Sequence, residues 1–191
     1  MDKIVLENIK AFADEKYYQR KGQHNIQHVK RVARNALNIT DILGDKYKID
    51  RNLLEAICYM HDYVIINKKH NIFLSLYNHI FEKSINRRHL QKSIGRFKLP
   101  EEEKKTFVNA IINHPYSIPY HHLNRNKDLY SKILQDADSL DYISKERLKY
   151  SRKVIKLLSP FVKFYVNLIK KEIKHFLNFP QLAQSLYIFE S

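Results

Sequence analysis

The stretch QHNIQHVKRVARNALNITDILG, Gln23 to Gly44, carries apolar residues at Ile26, Val29, Val32, Ala36, Ile39 and Leu43. Spacings of three and four are those of one face of an α-helix, and Lys30, Arg34 and Asn38 fall on the other face. Glycine at position 44 suits a helix stop. Working outward, Asp50 is an N-cap for a short, buried helix through Leu53, Leu54, Ile57 and Cys58 to Met60-His61. Ile72 to Ile85 is a further helical candidate. Pro100 followed by Glu101-Glu-Glu reads as a helix start, with Phe107, Ala110, Ile111 and His114 along it and Pro115 at its end. Pro115 to Asn126 reads as the longest loop, and Tyr130 to Leu140 as helix again. Leu148, Ile155, Leu158, Phe161, Phe164, Tyr165, Leu168, Ile169 and Ile173 read as one or two amphipathic helices. No strand alternation or repeat interrupts this pattern. The expected fold is all-α, a single-domain helical bundle.

Composition agrees. The chain has 191 residues, 44% hydrophobic and 28% charged, enough for one core. Three Gly and five Pro argue against a sandwich, a barrel or a glycine-rich phosphate loop. The single cysteine, Cys58, excludes an internal disulfide framework and suits a reducing, cytoplasmic setting. The early charges of Met1-Asp-Lys do not make a secretory signal, and no apolar run reaches the ~18–20 residues of a membrane span. The formal charge of +14 suggests an anionic partner. The basic residues are dispersed, which favours a phosphorylated small molecule over nucleic acid.

Four segments put His or Asp at the edge of an apolar helical face: Gln23 to Ala33, Tyr59 to Asp62, Ile111 to His114, and Gln135 to Asp141. His24 and His28 are four apart, on one side of a helix. Buried imidazoles and carboxylates are costly unless paired or bound to a metal, and the two together suit a divalent first-row ion.

In order and spacing these segments resemble the HD-domain metal-dependent phosphohydrolases, and within them a bacterial-type subgroup, over about Gln23 to Ser144. The matching pieces are His24-Asn25-x-x-His28-x-x-Arg31-Val32, His61-Asp62, His79-x-x-x-Lys83-Ser84, Ile111-x-x-His114 and Asp136-Ala137-Asp138-Ser139-Leu140-Asp141. The resemblance implies a domain core over residues 23–145; the flanking periodicity gives an N-terminal helix in 1–22 and C-terminal helices in 146–191 that cover the core or form a contact surface. The resemblance implies a divalent metal, with Mn, Mg, Fe, Co, Ni and Zn undistinguished and one or two ions both open, the first on His28, His61, Asp62 and Asp138. His79, His114, Lys30 and Asp141 would serve a second metal or the substrate. Asp62, His24, His114 and Arg31 would be the catalytic set, with His24 or His114 protonating the leaving oxygen, and Asp136 and Asp141 would orient imidazoles. The implied reaction is hydrolysis of a nucleotide or other phosphate ester by metal-activated water. Three departures stand against it: Asn25 and Ser139 replace an Asp and an Arg of the motif, and Ile65 stands where family nucleotidases carry Glu. They motivate the alternative of a catalytically impaired, nucleotide- or metal-binding regulatory module. The C-terminal aromatic residues (Phe161, Phe164, Tyr165, Phe176, Phe179, Tyr187, Phe189) read as core and lid or as a homodimer face.

Overall fold

Short polar side chains set the helix starts of the protein, whose computed structural model describes residues 1–18, 25–63, 82–115, 128–146, 149, 167–168 and 170–188. Asp2 accepts from the Ile4 and Val5 N–H groups at the head of α1 (Lys3–Tyr17). Asn25 accepts from the His28 N–H at the head of α2 (Ile26–Leu43). Asp50 does the same for Leu53 at α3 (Arg51–Met60). α4 spans Glu82–Ile94 and α5 Glu101–Asn113, the latter opened by Pro100 and three glutamates. At α6 (Leu129–Asp141), Asp128 accepts from both the N–H and the hydroxyl of Ser131. Each cap satisfies donors that the first helical turn leaves unpaired. Gly44 closes α2 at φ 61°, a conformation open to glycine, and its N–H bonds Thr40 O.

The packing follows from the apolar stripes. α2 lies between α3 and α6; α1 packs on α3, and α5 packs on α3, α4 and α6. Leu6 and Ile9 of α1, Ile57 of α3, Phe107 of α5 and Leu140 of α6 meet in one core. Phe12 joins α1 to the ends of α3 and α4, 5.2 Å from the Tyr63 ring and 5.6 Å from the Phe97 ring, with the Arg96 guanidinium 4.5 Å away. The C-terminal part adds short 3₁₀ turns at Ile173–His175 and Pro180–Ile188, whose Ile173 and Leu182 enter the same core.

The fold is all-α, with no strand among the described residues, as expected. The helix expected over 72–85 falls mostly outside the described residues; its last four positions lie in α4. The expected loop past Pro115 and most of the expected helices over 148–173 also fall outside them. Within the described C-terminal part, Phe179 is buried and Phe176 packs partly buried on the core. No helix of the described residues is long and apolar enough to cross a membrane.

Candidate metal centre

Two histidines are held by one local device. His61 follows α3 and His114 follows α5, each as the C-cap residue. Carbonyls of a last helical turn lack intrahelical donors. The His61 Nδ1–H donates to Cys58 O at 2.7 Å, and the His114 Nδ1–H donates to Ile111 O at 2.7 Å. A carbonyl only accepts, so Nδ1 carries the hydrogen in both rings and Nε2 is turned outward.

His28 is held differently. It sits in the first turn of α2, its N–H bound to Asn25 Oδ1 at 3.0 Å. Its Nδ1–H donates to Asp141 Oδ2 on α6 at 2.7 Å. Arg31, three residues on and on the same helical face, grips that carboxylate with Nε at 2.5 Å from Oδ1 and Nη2 at 3.2 Å from Oδ2. The Ser144 hydroxyl lies 3.4 Å from Oδ1.

With their rings so aimed, donor atoms from α2, α3 and α6 converge. His28 Nε2 lies 3.3 Å from His61 Nε2, 3.2 Å from Asp62 Oδ2 and 3.4 Å from Asp138 Oδ1. His61 Nε2 lies 3.3 Å from Asp62 Oδ2. The donor atoms of His28, His61 and Asp62 all fall within 4.8 Å of one another, a group that could hold a metal ion. Ligands bonded at ~2.1 Å around one cation stand ~3.0–3.4 Å apart, so these separations and this nitrogen–oxygen set fit a divalent ion. The His114 ring meets the His61 ring edge-on, centroids 5.4 Å apart. Asp138 is the most open of the four, 14% exposed against 1% for His28.

The electrostatics match the geometry. Burial alone would push the His28 imidazole down; the bonds to Asp141 and Asp62 and the charge of Asp138 outweigh it and hold it above its ordinary value. His61 meets the same burial penalty, overcome by the charges of Asp62 and Asp138, and rises to about 9. His114 is pushed down to about 4 by burial, with the charge of His61 adding to it. Asp141 is buried, which raises a carboxyl, yet its bonds to His28 and Arg31 hold it well below the usual carboxylate range. Burial pushes the Cys58 thiol up, so it is a core thiol and not a ready ligand.

Other candidates stand elsewhere. Lys30 is two positions from His28, about 200° around the helix, and pairs with Asp14 of α1 at 3.3 Å, both about half exposed. It does not join the group. Among the described residues Arg31 joins it through Asp141. Among the described residues Asp136 meets no imidazole: it lies on the far side of α6 and accepts from Asn178 and Phe179. Asn25 is spent on the α2 cap. The Ser139 hydroxyl is buried without a hydrogen-bond partner among the described residues. His24, Ile65 and His79 lie outside the described residues.

One contributor was not anticipated. Gln135, fully buried, donates through Nε2 to His114 O at 3.1 Å and Pro115 O at 3.2 Å, tying α6 to the end of α5. Its only sequence signal is an amide inside an apolar helical face.

The family model of the HD domain matches residues 25–143. No curated protein and no solved structure matches the chain.

Proposed function

The chain belongs to the HD-domain family, and on that premise we propose that it is a metal-dependent phosphohydrolase acting on a nucleotide or another phosphate ester. The observation that carries the reading is the convergence of His28, His61 and Asp62 at separations suited to one cation, with Asp138 Oδ1 3.4 Å from His28 Nε2. His28, His61, Asp62 and Asp138 would hold it, and the two carboxylates would balance its charge in a buried place. Bound there, a divalent ion supplies hydroxide from water near neutral pH and polarises a phosphoryl oxygen.

The chain's own groups have distinct tasks. Asp141 holds His28 in the tautomer that presents Nε2, and Arg31 keeps Asp141 ionised. Asp138, the most exposed member, stands on the side from which substrate and water approach. His114, neutral at pH 7 with its Nδ1 hydrogen spent on Ile111 O, presents a lone pair at Nε2. In that form it accepts or ligates.

The test is phosphate release from a panel of nucleoside monophosphates, diphosphates and triphosphates and of sugar phosphates, with the protein loaded in turn with Mn²⁺, Co²⁺, Mg²⁺ and Zn²⁺. Release that needs the metal and disappears in Asp62→Ala supports the proposal. No release from any substrate, with metal bound and the fold intact, overturns it. A second reading, a regulatory module, draws on Arg31 being engaged by Asp141, on Asn25 being spent as a cap and on the unpaired Ser139 hydroxyl. It expects nucleotide to bind the metal-loaded protein while no product forms.

A further inference from the structure

Helix α6 is gripped from both sides. Asp138 and Asp141, about 60° apart around its axis, face His28. Asp136, about 200° from Asp138, faces the C-terminal segment and is fully buried. A buried carboxylate needs donors, and among the described residues Asp136 accepts three hydrogen bonds. Oδ1 accepts from the Asn178 N–H at 2.9 Å and from Asn178 Nδ2 at 2.7 Å, and Oδ2 accepts from the Phe179 N–H at 3.0 Å.

Asn178 does more than cap Asp136. Its Nδ2 also lies 3.0 Å from Gln135 Oε1 and 3.3 Å from Lys132 O, so it spans a full turn of α6. Gln135 in turn holds the carbonyls of His114 and Pro115. One amide thus links the back of the helix that bears Asp138 to the end of the helix before His114. Leu177, Phe179 and Leu182 seat the segment in the core on either side of it.

The mechanical consequence is leverage. α6 packs on α2, α3 and α5, and even a small roll within that packing is magnified: a carboxylate ~6 Å from the helix axis moves ~1 Å for a roll of about 10°. Such sites tolerate roughly 0.5 Å. We infer that Asn178 is a positioning residue of the metal centre: through Asp136 and Gln135 it sets the roll of α6, and with it the distance of Asp138 and Asp141 from His28. It lies beyond the residues 25–143 that match the family model. The inference rests on the proposed metal site for its second readout below, not for its first.

The test compares Asn178→Ala with Leu182→Ala, which removes a fully buried anchor of the same segment whose side chain makes no hydrogen bond. The first readout is the His28 Nδ1–H resonance of the metal-free protein, placed downfield by its bond to Asp141. Asn178→Ala should shift or broaden it. Leu182→Ala should leave it in place while lowering the melting temperature at least as far. The second readout is Mn²⁺ affinity by calorimetry, expected to fall ~5- to 10-fold in Asn178→Ala and to stay within about twofold in Leu182→Ala, against ~10–100-fold for a direct imidazole partner. If Asn178→Ala does not fold, Asn178→Ser, which keeps a shorter donor, replaces it. An unmoved His28 resonance, or an equal movement in Leu182→Ala, overturns the inference. If the parent protein binds no Mn²⁺, the metal reading fails, and the resonance alone still decides the role of Asn178.

Discussion

His28 Nδ1 stands 2.7 Å from Asp141 Oδ2, a contact between residues 113 positions apart that turns the first turn of α2 toward α6. Asp141→Asn keeps the shape and removes the charge that His28 and Arg31 share. Mn²⁺ affinity should fall ~10–100-fold, as for other groups that orient an imidazole ligand. Calorimetric titration of parent and variant checks this.

Arg31 donates two hydrogen bonds to that carboxylate, so its role separates from phosphate binding by measurement. Arg31→Met leaves Asp141 with one fewer cation in a buried place, at a cost of ~2 kcal/mol in chemical denaturation and a weakened metal site. An arginine that touched only substrate phosphate would leave metal affinity unchanged and raise KM.

Stability of the metal-free protein should depend on pH in two opposed windows. His61 is raised from 6.5 to about 9, so its contribution is full below pH 6.5 and is lost as pH rises through about 9. His114 is lowered from 6.5 to about 4, so the unfolded chain binds more protons in between and stability is lost as pH falls through that range. The melting temperature should therefore peak at about pH 6.5. The depressed carboxyl of Asp141 removes further stability at more acid pH. Metal ligation needs neutral imidazoles, so Mn²⁺ should stabilise more strongly as pH rises from 6.5 to about 9. Thermal melts across this range, with and without Mn²⁺, test both statements.

Ala137 lies fully buried on the α2 side of α6, where Asn35 Nδ2 donates to its carbonyl at 3.2 Å. Ala137→Leu should cost ~1–3 kcal/mol by overpacking and also weaken Mn²⁺ binding, because the added volume parts His28 from Asp138. Ile9→Ala, a cavity on α1 away from this interface, should cost ~3 kcal/mol with metal affinity unchanged. Denaturation midpoints and calorimetry on both variants make the comparison.

Much of this architecture was legible where the cause is local. Helices α2 and α3 combine an apolar period of three and four with a capping Asn or Asp, and both begin at those caps. α4 lacked such a signal: beyond residue 85 it is rich in charge and amide, and among its described side chains Leu90, Ser93 and Ile94 are buried. Within the site, the positions of His28, His61, Asp62 and Asp138 could be read from motif order. What each polar group holds could not. The partner of Arg31 is 110 positions away and that of Asp136 is 42 away, distances that only tertiary packing closes. The placement of Asp136 away from Asp138 was nonetheless implicit, since two residues along a helix point to opposite sides.

His61 and His114 are aimed by main-chain carbonyls three residues back, whereas His28 is aimed by a side chain. A peptide oxygen is supplied by whatever amino acid occupies positions 58 and 111, so mutational drift there leaves those two rings pointing as they do. The vulnerability of the centre is accordingly uneven: it concentrates in a single replaceable carboxylate, Asp141.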